Sequence, residues 1–223
     1  MKNTVKALIF DLDGTVADTI WAIRAAVNQV RAELGLPELN YDEVRAGLNN
    51  GARNLVKVTI VDEAHRDDDA YIDRALSLYL SAYGRTYTQT DEPYGGMREA
   101  LAGLKARGYR PAMLSNKPDE FVRVLAEKLF GEGMFEVARG PVSNIVKPDP
   151  RLSLEVLAEL DPTLRPEECA MIGDSDIDIL TAKNAGMAAV GCAWGYRGRE
   201  YLENFAEKAD VIIEKPIELL NIF

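Results

Sequence analysis

The chain has 223 residues, enough for one substantial α/β domain or for a domain carrying a small insert. Hydrophobic residues make up 47% and charged residues 28%, and a formal net charge of −10 with no Lys/Arg cluster argues against nucleic acid as a partner. A single histidine, His65, excludes His-rich metal centres and leaves a serine–histidine–aspartate triad little to work with. Cys169 and Cys192 lie in apolar segments, as buried reduced thiols do.

The first apolar run, Val5–Phe10, reads as a buried central strand. It is far too short for a signal-peptide core or a membrane span, and no other stretch approaches one. A cytoplasmic protein with no membrane partner is expected. From Ala17 to about Glu92 there are helical patterns at Ile20–Leu34, Tyr41–Ala46, Ala52–Val61 and Asp69–Tyr83, with no convincing strand. The acid run Asp67-Asp68-Asp69 reads as a solvated helix start. Hinges are expected near Val16–Thr19 and near Asp91–Gly96, which holds Pro93, Gly95 and Gly96.

Beyond the insert, strands at Arg110–Leu114, Cys169–Ile172, Ala188–Gly191 and Val211–Ile213 alternate with helices. The helices are Met97–Ala106, Glu120–Phe130, Arg151–Leu160, Ile177–Ala185 and a shorter Ile217–Leu220. Pro118, Pro150 and Pro216 are expected in first turns, and Gly108 and Gly186 at left-handed caps. The alternation predicts an α/β fold: a Rossmann-like parallel sheet with helices on both faces. Residues 1–16 and 94–223 would form this core. Residues 17–93 would form a small all-helical cap inserted after the first strand, on the side where such sheets bind ligands.

Four groups stand at strand ends. Asp11 and Asp13, in Phe10-Asp11-Leu12-Asp13-Gly14-Thr15, can converge on one magnesium ion, although Asp and Gly also merely form turns. Ser115 and Asn116, in Ser115-Asn116-Lys117, can donate hydrogen bonds to phosphate or cap the next helix. Lys147, in Val146-Lys147-Pro148-Asp149-Pro150, would offset the repulsion between a carboxylate nucleophile and a phosphate dianion, unless it is a solvated loop lysine. Asp174 and Asp178, in Gly173-Asp174-Ser175-Asp176-Ile177-Asp178, share one helical face, and carboxylates so crowded call for a cation. Asp176 reads as a helix-start acid.

This ordered set resembles the haloacid dehalogenase-like hydrolase superfamily over nearly the whole chain. Thr15-Val16-Ala17-Asp18-Thr19, Ser115-Asn116-Lys117-Pro118, Lys147-Pro148-Asp149-Pro150 and Ala193-Trp194-Gly195-Tyr196 look like its phosphoglycolate phosphatase branch. The resemblance implies an Mg2+-dependent phosphatase for a small-molecule phosphate monoester, phosphoglycolate-like, as monomer or homodimer. It implies Asp11 as the nucleophile that becomes an aspartyl-phosphate, and Asp13 as general acid and then base. It further implies metal ligation by the Asp11 carboxylate, the Asp13 backbone carbonyl and Asp174, phosphoryl contacts from Ser115 and Lys147, and Asp178 holding Lys147 or a metal-bound water. An acid at position 13 favours phosphate chemistry over dehalogenation. A pyrophosphatase, nucleotidase or sugar-phosphate phosphatase is the alternative within the superfamily. A non-catalytic binding protein is the alternative outside it.

Selectivity is expected in the cap, at Gly47-Leu48-Asn49-Asn50-Gly51-Ala52-Arg53. There Asn50 would border the substrate. Arg53 would receive a substrate carboxylate or be an exposed helix-start arginine. Ile23, where β-phosphoglucomutase relatives carry histidine, counts against a mutase. Trp21, Tyr41, Tyr87, Trp194 and Tyr196 are expected to pack in cores.

Overall fold

The computed structural model describes residues 4–48, 50–90, 92–142 and 145–223. Every residue of strand β1 (Ala7–Phe10) is buried, because the strand lies at the middle of a parallel sheet and has helices over both faces. Strands β2 (Arg110–Leu114), β3 (Val137–Arg139), β4 (Cys169–Gly173), β5 (Ala188–Cys192) and β6 (Val211–Ile213) complete it. Among the described residues the order is β3-β2-β1-β4-β5-β6, all parallel. The sequence strands therefore reverse direction of travel across the sheet between β1 and β4, the place where open sheets of this kind open a crevice.

Helices α5 (Met97–Ala106), α6 (Asp119–Phe130), α7 (Pro150–Leu160), α8 (Asp176–Ala185), α9 (Gly198–Asn204) and α10 (Leu219–Ile222) belong to the same unit. Ala7 and Ile9 pack with Leu152, Val156 and Leu157 of α7 and Ile179 and Ala182 of α8. Side chains alternate along a strand, so Leu8 and Phe10 face the other way, and the Phe10 ring meets Phe135 edge-on at 6.0 Å. Each such fully buried side chain contributes about 1.5–3 kcal/mol.

The chain divides into two compact units, 1–18 with 92–223, and 19–91. The second holds α1 (Ile20–Glu33), α2 (Tyr41–Ala46), α3 (Gly51–Thr59) and α4 (Asp69–Thr86). Its core comprises Ile23, Ala26, Val27, Val44, Val56, Ile72, Tyr79 and Tyr83. Asn28 exchanges two hydrogen bonds of 2.9 Å with the backbone of Leu39, and Asn40 and Glu43 form a capping box that starts α2. Asp68 caps α4 by accepting from the Tyr71 N–H, in keeping with the helix-start reading of the acid run.

The differences from expectation are local. Pro118 is the N-cap of α6 rather than a first-turn residue, and β3 and α9 have no counterpart in the sequence reading. Trp21 is not core: it is 63% exposed, edge-on to the half-buried Tyr41. Asn49 and the hinge residue Asp91 lie outside the described residues. No helix among the described residues is long and apolar enough to cross a membrane.

Candidate active site

Strand register brings three of the four sequence groups to one edge. Phe10, the last residue of β1, lies beside Met113 of β2 and Ile172 of β4, so Asp11, Ser115 and Asp174 leave adjacent strands together. The Asp11 N–H continues the ladder to the Ile172 carbonyl at 2.9 Å. The chain then turns tightly, with the N–H groups of Thr15, Val16 and Ala17 all directed to the Leu12 carbonyl. Gly14 adopts φ +88°, and a Cβ there would sit 2.6 Å from an Asp174 carboxylate oxygen. Only glycine fits both demands.

Lys147 lies at the centre of the charges. Its ammonium donates to Asp11 Oδ1 at 2.6 Å and to Asp178 Oδ1 at 2.7 Å, and all three side chains are buried. Burial opposes the lysine charge, but Asp11 and Asp178 outweigh it and hold the ammonium above its ordinary pKa. Burial also pushes Asp11 up, against the pull of Lys147 and helped by Asp178 and Asp13, to about 7. Asp174 is raised well above the usual carboxylate range by burial, then by Asp178 and Asp11.

Each carboxylate is held from outside. Asp174 accepts from the Tyr196 N–H at 2.7 Å and the Thr15 hydroxyl at 3.2 Å. Asp178 accepts from the Ser175 N–H at 3.1 Å and its hydroxyl at 2.7 Å, all on the oxygen that Lys147 leaves. Asp13 pairs with the buried Lys117 at 2.8 Å. Carboxylate oxygens of Asp11, Asp174 and Asp178 lie within 4.8 Å of one another. A buried, all-oxygen donor set with raised acids suits a hard divalent cation.

Not every predicted contact is directed at a ligand. The Asn116 amide donates to the Lys147 carbonyl at 3.0 Å and accepts from its N–H at 2.7 Å. It clamps the lysine loop. Arg53 pairs with both Asp69 (2.6 Å) and Asp73 and so ties α3 to α4 within the helical unit. Asn50 is exposed at the N-cap of α3 and makes no side-chain cap bond. Trp194 and Tyr196 are half-buried braces rather than core: the indole N–H donates to the Thr15 carbonyl at 2.9 Å, and the Tyr196 hydroxyl to Asp18 at 3.1 Å. Lys117 and Thr15 are the side chains in contact with the acidic cluster that sequence reasoning passed over. Both stood inside quoted motifs, with an acid-rich neighbourhood as the available signal.

A model of the haloacid dehalogenase-like hydrolases matches residues 5–186. The chain belongs to this family. Within the haloacid dehalogenase-like hydrolases it falls in the phosphoglycolate phosphatase-like branch. A phosphoglycolate phosphatase of Pseudomonas putida is 33% identical over 212 residues, 94% of this chain and 76% of that protein. One from Chromobacterium violaceum is 30% identical, over 98% of this chain and 96% of its own. The crystal structure of a candidate phosphoglycolate phosphatase from Lactobacillus delbrueckii subsp. bulgaricus is 28% identical. It superposes with a TM-score of 0.86 over 98% of each chain.

Two expectations follow for this haloacid dehalogenase-like hydrolase. A Cβ at Gly195 would lie 2.2 Å from Asp174 Cβ and 2.5 Å from the Gly14 carbonyl, whereas one at Gly84, in α4, meets nothing within 4 Å. Gly195→Ala should therefore cost about 1–3 kcal/mol or more in denaturant unfolding, and Gly84→Ala should be neutral or stabilising. The second concerns pH. An acid with its folded pKa raised from 3.8 to about 7 binds more protons folded than unfolded across that window, so its ionisation lowers stability as pH rises through it. Asp149 and Glu168, held down at about 2, act in the opposite sense, but their contribution is complete by pH 5. In chelator, Tm should fall between pH 5 and pH 7.5, and Asp11→Asn should flatten that slope.

Proposed function

We propose that the protein is a magnesium-dependent phosphatase that hydrolyses a phosphoglycolate-like monoester through an aspartyl-phosphate on Asp11. As a member of its branch it is a phosphoric monoester hydrolase. The observation that carries the finer reading is the buried Asp11 carboxylate, with Lys147 on one oxygen at 2.6 Å and Asp174 and Asp178 close by. The names of the curated relatives support the choice of ester.

The Asp11 carboxylate and Asp174, with the backbone carbonyl of Asp13, would hold the cation. When bound, magnesium neutralises carboxylate and phosphoryl charge. The remaining chemistry belongs to the chain. Lys147 and Ser115 hold phosphoryl oxygens, and Asp178 and Asn116 hold Lys147. An Asp11 oxygen attacks phosphorus in line, the ester P–O bond breaks, and its electron pair leaves on the alcohol oxygen, which takes a proton from Asp13. Water then attacks phosphorus and gives a proton to the Asp13 carboxylate. The Asp11–phosphorus bond breaks, and the carboxylate is restored with inorganic phosphate as product. Positioning and charge neutralisation supply most of the acceleration in such a transfer.

Asp11→Asn should remove turnover of any phosphate ester while leaving a cooperative unfolding transition, because an amide oxygen is too weak a nucleophile. Phosphate release within tenfold of the parent, with deamidation excluded by mass spectrometry, would refute the covalent mechanism. Arg53 supplies a test of selectivity. Its guanidinium is already engaged by two acidic partners, and exposed pairs contribute only about 0–1 kcal/mol. Arg53→Ala should therefore change kcat/KM by less than about threefold on phosphoglycolate and on p-nitrophenyl phosphate alike. A selective loss on phosphoglycolate would instead assign the substrate carboxylate to Arg53.

A further inference from the structure

A lysine ammonium is costly to remove from water, yet the Lys117 side chain is only 4% exposed. Its Nζ stands 2.8 Å from Asp13 Oδ1, on a carboxylate that is itself 20% exposed. The loop after β2 is built to keep it there. The Lys117 N–H donates to the Ser115 hydroxyl at 3.2 Å, and a Cβ at Gly140 would come within 2.1 Å of the Lys117 carbonyl, so the neighbouring chain closes on this loop only because residue 140 is glycine. Asp119, which opens α6, secures the same contact by accepting from the Gly140 N–H at 3.0 Å.

Stability does not account for such an arrangement, because a buried ion pair roughly breaks even against apolar packing. Nor is Lys117 a second Lys147. Lys147 engages Asp11 and Asp178, whereas Lys117 engages the carboxylate to which the proton transfers are assigned.

We propose that Lys117 is a positioning residue for Asp13. Anchoring Oδ1 fixes the plane of the carboxyl group that protonates the leaving oxygen and later takes a proton from water. Lys117 makes no bond to phosphorus. The inference rests on the reading of Asp13 as acid and base and adds to it the group that aims it.

The leaving group provides the test, since an alkoxide needs the proton and p-nitrophenolate leaves without it. With the full-length, magnesium-loaded protein, Lys117→Met should lower kcat/KM, which reports the step that releases the alcohol, about thirty- to a hundredfold on phosphoglycolate. On p-nitrophenyl phosphate kcat/KM should fall less than about fivefold. Lys117→Arg, which keeps a cationic donor, should recover phosphoglycolate turnover to within about tenfold of the parent. Equal losses of kcat/KM on the two esters would overturn the proposal. So would a rise in KM with kcat intact, which would make Lys117 a phosphate ligand. Asp13→Asn, measured alongside, separates the two layers. If it shows no leaving-group bias, the acid–base reading of Asp13 fails. If it shows the bias and Lys117→Met does not, only the role of Lys117 fails. Should Lys117→Met give no cooperative melt, Lys117→Gln must show the same bias, and its absence overturns the proposal.

Discussion

Asp11, Asp13, Asp174 and Asp178 repel one another at the carboxyl edge of one sheet, and the whole site is organised against that repulsion. Two unit charges 4 Å apart near a protein surface interact by about 4 kcal/mol, which is large beside the total stability of a domain. Lys147 meets Asp11 and Asp178, and Lys117 meets Asp13, so the four carboxylates face two ammonium groups. The excess left on the acids is the charge of one divalent cation. The raised pKa values of Asp11 and Asp174 come first from burial, and the neighbouring carboxylates add to it.

Holding like charges so close needs a backbone that cannot relax away from them. Parallel pairing supplies the coarse alignment, since β1 is locked between β2 and β4 and its residues are fully buried. Close approach supplies the rest. A Cβ at Gly173 would fall 2.1 Å from Asp178 Cγ, and those at Gly14 and Gly195 would strike Asp174. Three chain segments therefore reach one carboxylate cluster because each lacks a side chain at the point of contact. The Trp194 and Tyr196 bonds to Thr15 and Asp174 close this frame.

What was legible in the sequence is what repeats or clusters. The apolar runs that became β1, β4 and β5 are continuous because both faces are covered, and the helices between the strands show plain periodicity. The three-residue β3 offers no period to read, and exists because β2 presents an edge at Ala112–Leu114. The site was legible as a set of acids and a lysine at strand ends. Which polar atoms meet was not, since this depends on loop conformations that bring residue 116 to residue 147 and residue 117 to residue 13. Trp21 was misread because aromatic bulk was equated with burial, whereas its indole rests on Tyr41 with most of its surface open.

Two polar side chains expected at the ligand site are engaged on the scaffold. Asn116 has both ends of its amide on the Lys147 backbone, and Asp178 divides its oxygens between Lys147 and Ser175. A polar side chain already satisfied on a buried partner gains little by turning to a ligand, because it would leave that partner unpaired at about 1–3 kcal/mol. On the reading proposed above, the phosphoryl group meets Lys147, Ser115 and the Asp11 nucleophile, a set that any phosphate ester can satisfy. Discrimination among esters must then come from groups that meet the rest of the substrate, and these lie outside the charged cluster whose geometry is so tightly determined.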